Sequence, residues 1–310
     1  MIPIPITFSQ IRFLLAVADE GSTAAAARRL NISQPSISLA ISRAERELGF
    51  PLFVRRPGLG MAPTTQGARK LQELRTAYLQ MSQVFASGDG SATLAGELSL
   101  GFMTTLGPRY LPGLVRSFQD RHPGLRVKLH EGDLSSLSNW LEIGRIEAAI
   151  VYDFALPSDL DILPLRETKP YGVVWPGHPL ADRDSITIPE LLDDPLILIN
   201  LPGSRDFFLS LLQGHGARAR IALETESVEF LRSAVASQLG VGLLATDISH
   251  DITYDGNRVV RLPLAGLTPP HRIALARNPN FAETEVARAF RRLCTEEFTP
   301  PDATGTAPQP

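Results

Sequence analysis

Gln34, Pro35, Ser36, Ser38 and Ser42 crowd the start of the stretch SQPSISLAISRAERELG, Ser33 to Gly49, with short polar groups where a core helix carries leucines. Amide and hydroxyl groups at this density form a hydrogen-bonding surface of donors and acceptors. Ser33 is a good N-cap and Pro35 suits a first helical turn, so a helix starts here. Ile37, Ile41, Ala44 and Leu48 recur at spacings of three and four and give it one apolar face. Gln34, Pro35, Ser38, Leu39 and Ser42 are left on the other face, near its N-terminal end. That face needs a partner other than water.

Catalytic and metal-binding patterns do not compete with this reading. The six histidines form no HExxH or closely paired ligand spacing, and there is neither a G-x-S-x-G elbow nor a P-loop. A pyridoxal-phosphate enzyme would need a Schiff-base lysine, and in the C-terminal two thirds only Lys128 and Lys169 exist. No catalytic residue, metal site or cofactor is therefore expected. A solute-binding protein serving a transporter would carry an export signal, and MIPIPITFSQ has no basic region followed by a hydrophobic block. No apolar run reaches the roughly 18 residues of a membrane span. The single cysteine, Cys294, excludes an internal disulfide and fits a reducing cytoplasm.

The elements that must position the polar turn are legible around it. A strongly apolar helical pattern runs from Thr7 to about Ala18 through Phe8, Ile11, Leu14 and Leu15, and Ser22 then caps the short alanine-rich helix TAAAARRL. Three short helices with a tight turn before the third make a helix-turn-helix, whose third helix presents its first turn to the DNA major groove. FPLFVRRPGLGMAPT follows as a small β wing. Charge agrees: residues up to Ser87 carry ten Arg or Lys against five acids, whereas the remainder carries twenty against twenty-eight, within an overall charge of −3. The N-terminal part is thus the part suited to a polyanion.

From Thr64 a helix carries Leu71, Leu74, Tyr78, Met81 and Phe85 as a seam for pairing with another helix. ASGDGSATLAG ends it as a hinge. Strand-like runs then alternate with amphipathic helices, from ELSLGF to VGLLAT, which implies two α/β lobes. RIALAR and ETEVARAFRRLCTEEF close the fold. The expected boundaries are a DNA-binding head over 1–64, a linker helix and hinge over 65–90, and a two-lobe domain over 91–298, with a disordered tail over 299–310. Lobe I is expected over about 91–160 plus 266–298, and lobe II over about 161–265.

Ala25-Ala26-Ala27-Arg28-Arg29-Leu30, Ser33-Gln34-Pro35, Ser38, Glu47-Leu48-Gly49, Leu52-Phe53 with Arg55, and Thr64 with Gly67 together resemble the LysR-type transcriptional regulators, and the likeness extends over almost the whole chain. The resemblance implies a winged helix-turn-helix, a dimerising linker helix and an effector domain like a type 2 periplasmic binding protein. It further implies homodimers or homotetramers that act on double-stranded promoter DNA, a small-molecule effector, RNA polymerase as a partner, and no membrane. Gln34, Pro35, Ser36 and Ser38 match family positions that face bases or nearby backbone, with Ser33, Leu39, Ser42 and Arg28 beside them, and Arg55 matches the wing arginine. Glutamine can pair with adenine through two bonds. Two residues depart from the pattern. Leu39 stands where the family often has Arg or Lys, and Ala24 where Ser or Thr is usual, which implies an unusual DNA preference.

In such lobes ligands sit between subdomains at the carboxyl ends of strands. The loops in that situation contain Thr104 and Thr105, Ser135, and Asn200 with Ser204 and Arg205. Hydroxyls beside free N–H groups suit a small anion such as a carboxylate. Thr104, Ser135 and Ser204 would serve equally as N-caps, and Arg205 would either attract the ligand or pair with an acid such as Asp206.

Overall fold

The computed structural model describes residues 6–56, 60–86, 96–216, 218–266 and 271–298. Most of the expected hinge and all of the tail lie outside them, as does the side chain of Phe85.

The head comprises α1 (Phe8–Glu20), α2 (Thr23–Leu30), α3 (Gln34–Leu48) and a two-stranded wing, β1 (Phe53–Arg56) with β2 (Gly60–Pro63), followed by the long α4 (Thr65–Ala86). A capping box between Thr7 and Gln10 starts α1, and Ser22 accepts the N–H of Ala25 to start α2. Ser33 occupies the N-cap position of α3, but its hydroxyl bonds the hydroxyl of Ser36 at 2.7 Å and makes no capping bond to the backbone. Leu14, Val17, Ala26, Ile37, Ala44 and Leu52 form the buried centre of this head. Burial alone would raise the Asp19 carboxyl. Arg75 of α4, 2.6 Å away, and Arg29 outweigh it and hold the group below its ordinary value.

The linker seam is placed differently from the expectation. Leu71 is buried in the core of its own head, Leu74 and Tyr78 pack against that core, and Tyr78 stacks on Phe8 at 4.3 Å. The three-helix head is too small to close over α1, so the first turns of α4 complete it. Met81, 46% exposed, is the member of the seam left free for a partner among the described side chains.

Lobe I consists of β3 (Gly96–Met103), α5 (Gly107–Arg121), β4 (Leu125–Gly132), α6 (Leu134–Glu142), β5 (Ala148–Tyr152) and β6 (Asp161–Thr168). Lobe II follows with β7 (Tyr171–Val174), α7 (Ile188–Leu191), β8 (Leu196–Ile199), α8 (Ser204–Gly214), β9 (Ile221–Thr225), α9 (Val228–Ala236), β10 (Val241–Leu244) and β11 (Val260–Pro263). The chain then returns to lobe I through β12 (His271–Arg277) and α10 (Glu285–Phe298). The two sheets have the orders β4-β3-β5-β12-β6 and β11-β7-β10-β8-β9. Strands β4, β3 and β5 are parallel, as are β9, β8 and β10, so each lobe has its own strand ends facing the other.

The lobe boundary expected near residue 161 is corrected by β6, which pairs antiparallel with β12 and belongs to lobe I. Crossing to lobe II comes after Thr168. Each lobe has a separate core, one around Leu98, Ile150 and Phe290, the other around Val173, Ile197 and Val241. Gln72 of α4 donates to the Glu142 carbonyl at 2.6 Å and ties the linker to lobe I.

Candidate DNA interface and effector cleft

Helix α3 buries Ile37, Ala40, Ile41 and Ala44, while Ser33, Gln34, Pro35, Ser36, Ser38, Leu39 and Ser42 are all exposed. The polar turn thus stands clear of the head that carries it. Leu39 is 67% exposed, an isolated apolar tip amid hydroxyls. The Gln34 amide donates to the Thr23 hydroxyl at 3.1 Å, which steadies the side chain and leaves its carbonyl and second amide hydrogen available. Arg28 at the end of α2 and Arg55 on the wing strand are exposed and form no ion pair among the described residues, unlike Arg29, which bonds Asp19 and Glu20. Glu45 accepts the N–H groups of Leu52 and Phe53, and Met61 donates to the Gly21 carbonyl at 2.7 Å, so the wing is fixed to α3 on one side and to the α1–α2 turn on the other.

Between the lobes, the carboxyl ends of β3, β4, β9 and β10 converge on a cavity of about 480 Å³ lined by Thr104, Thr105, Arg109, Glu131, Glu226 and Thr246, among others. A larger space of about 630 Å³ opens against the crossing strands, beside Lys169, Tyr171 and Arg261. The first lies where open α/β sheets receive ligands.

Of the residues expected to contact an effector, Thr104 and Thr105 line this cavity, and the buried Ser204 meets Thr105 in a neighbouring void of only about 20 Å³. The structure does not bring the others to either space. Ser135 is exposed on α6, Asn200 is exposed with its N–H bonded to Thr225, and Arg205 pairs with Glu224 at 3.3 Å instead of with Asp206. None of the three hydroxyl residues is an N-cap. Those positions belong to Leu106, Asp133 and Gly203. Among the described residues an anion would meet no free arginine or lysine in the 480 Å³ cavity, because its Arg109 is bonded to the backbone carbonyl and, at 3.9 Å, the carboxylate of Asp247.

Sequence reasoning passed over an aromatic group shared between the two lobes, three of whose members line the small void beside Ser204. Tyr152 and Phe154 of lobe I, Phe207 of α8 and His271 of β12 form a set with Phe154 stacked on Phe207 at 4.9 Å and His271 4.7 Å from Phe207. No repeat marks these residues, since they come from three separate segments. His271 is 2% exposed and neither ring nitrogen has a partner. Burial outweighs the nearby Asp153 and holds its pKa down to about 4, against 6.5 when unfolded. The His271 share of stability is therefore full above pH 6.5 and is lost as pH falls toward 4, by up to about 1.4 kcal/mol per unit. Urea unfolding at neutral and mildly acidic pH should show this slope, and His271→Phe should flatten it; an unchanged slope in the variant would refute the assignment.

Comparison with known proteins agrees with both halves of this arrangement. Residues 8–68 match the family described as bacterial regulatory helix-turn-helix protein, lysR family, and residues 91–299 match the LysR substrate binding domain. A probable RuBisCO transcriptional regulator of Nostoc sp. is 28% identical over 97% of this chain and 91% of its own length. HinK, a LysR family transcriptional regulator from Pseudomonas aeruginosa, superposes with a TM-score of 0.63 at 29% identity, covering 94% of this chain and 98% of its own. A full-length OxyR variant from Pseudomonas aeruginosa shares the fold, with a TM-score of 0.72 at 24% identity over 94% of this chain and 98% of that one. Among the described residues no helix is long and apolar enough to cross a membrane. The chain belongs to the LysR family of transcriptional regulators, DNA-binding proteins with an effector-binding domain and not enzymes.

Proposed function

We propose that the exposed face of α3 enters the major groove of a dyad-symmetric promoter site, with the wing on the adjacent backbone, and that a small molecule between the lobes controls transcription from it. The observation that carries the DNA reading is the separation of faces on α3, all of whose short polar residues are solvent-facing while Ile37, Ala40, Ile41 and Ala44 are buried. Gln34, Ser38 and Leu39 are the base-reading candidates, since Leu39 can touch a thymine methyl but cannot grip guanine or phosphate. Ser33, Pro35, Ser36 and Ser42 border them. Arg28 and Arg55 are the phosphate ligands. Met81 and the exposed side of α4 supply contact with a second copy, in a dimer or tetramer that works in the cytoplasm with RNA polymerase.

Footprinting with purified variants tests this. Gln34→Ala or Ser38→Ala should reduce discrimination at one base position by about 1–3 kcal/mol. Arg55→Ala should weaken binding to all sequences alike and reduce the salt slope by about 0.9 per arginine removed from a phosphate. Unchanged specificity in both α3 variants would exclude α3 as the reading helix.

A further inference from the structure

We propose that the ligand of the 480 Å³ interlobe cavity is an organic cation, an amine or a guanidine; this deepens, and rests on, the reading that the cavity holds the effector. Glu131 at the end of β4 and Glu226 just after β9 bring a carboxylate from each lobe to the lining, and neither has an ion-pair partner among the described residues. Arg109 is the one arginine or lysine of the lining among the described residues. It is already engaged by Asp247 and lies over the Tyr110 ring, 5.2 Å from its centroid.

A shielded carboxylate oxygen points the same way. Glu229 gives one oxygen to Arg232, while its other oxygen, Oε2, is buried without a hydrogen-bond partner. The Thr105 hydroxyl, also in the lining, is likewise buried and unpartnered, and as both donor and acceptor it can bind a cation or an anion. An ammonium or guanidinium group donates to the Glu229 carboxylate oxygen, whereas an anion accepts and leaves it unsatisfied. The N-terminus of α9, which would otherwise attract an anion, is flanked by Glu226 and carries Glu229 in its first turn, so its positive end is met by the protein's own acids. Tyr254, 87% exposed and part of the lining, is an aromatic ring on which a cation can pack.

This arrangement also gives the ligand a means of acting on the lobes. Two like charges facing one cavity from opposite lobes oppose closure, and a cation between them reverses the sign of that interaction. A ligand shifts a conformational equilibrium only by its difference in affinity for the two states, and that difference here comes from Glu131 and Glu226 acting together.

Calorimetry on the full chain with putrescine, agmatine and spermidine, and with glutarate as the anionic control, tests the inference at low and moderate salt. At least one amine should bind, more weakly as salt rises, and Glu131→Gln combined with Glu226→Gln should weaken it tenfold or more. Thr105→Val should also weaken it. Binding of glutarate with the amines silent, lost in Thr105→Val, overturns the cation and keeps the cavity as the effector site. Amine binding that is the same in all these variants overturns the cavity reading and the inference with it. Silence of every probe overturns the cation. Circular dichroism melting of each variant separates loss of a contact from loss of the fold.

Discussion

Replacing Arg232 with alanine should destabilise lobe II by about 3–5 kcal/mol, the cost of breaking a buried ion pair from one side. The side chain is 2% exposed in α9 and makes three bonds, to Glu229 Oε1 at 2.6 Å and to the backbone carbonyls of His250 at 2.7 Å and Ile252 at 3.2 Å. Removing it leaves a carboxylate without its counter-charge, two carbonyls without a donor, and a hole on the buried face of α9. Arg232→Met fills much of the hole but not the missing charge, so it should recover only part of the loss. Combining it with Glu229→Gln removes the stranded charge and should recover more, because a pair is costly chiefly when half of it is deleted. Urea denaturation monitored on lobe II gives these differences. An alanine variant within about 1 kcal/mol of the parent would show that the three bonds contribute little beyond their desolvation cost.

Arg232 also marks the limit of what the sequence discloses. It occupies the buried face of α9 beside Leu231, Ala234 and Val235, three residues after Glu229, and that spacing is the only local sign of its pairing; its carbonyl partners come from a loop some twenty residues on. The polar turn of α3 is far easier to read, since cap, proline and apolar stripe lie within one short segment. Strand β6 was hidden because it is an edge strand interrupted by Pro164, with a register shift in its pairing to β12, and edge strands need not show clean alternation. The a/d pattern of α4 was real, but periodicity reports an apolar face and not whose core receives it. Leu71 and Tyr78 satisfy the pattern within their own chain. Likewise the carboxylates of the cleft come from different lobes, so their proximity emerges only when the lobes are brought together.

The head depends just as sharply on one glycine. Gly67→Ala should destabilise it by about 3 kcal/mol, at the upper end of the overpacking range, and abolish DNA binding while the effector lobes stay folded. A Cβ at Gly67 would lie 2.0 Å from the Leu52 carbonyl oxygen and 2.7 Å from its carbon, a collision with backbone that no rotamer change relieves. Nor can Leu52 withdraw. Its carbonyl accepts the Thr64 N–H at 2.9 Å, its N–H is held by Glu45 at 2.8 Å, and its side chain is fully buried in the head core. From the other side, the Thr64 hydroxyl accepts the Gly67 N–H at 2.9 Å and donates to the Pro51 carbonyl at 2.7 Å, which fixes the start of α4 against the wing. A domain of this size has only about 3–9 kcal/mol of stability at ordinary values per residue, so the loss is comparable with the whole. Gly113→Ala is the control: it too is a helical glycine, but nothing lies within 4 Å of its added Cβ, and it should gain about 0.5–1 kcal/mol from the better helix former. Circular dichroism melts with a DNA mobility-shift assay distinguish the outcomes, and a Gly67→Ala protein that melts and binds DNA like the parent would show that the junction between wing and linker helix can yield.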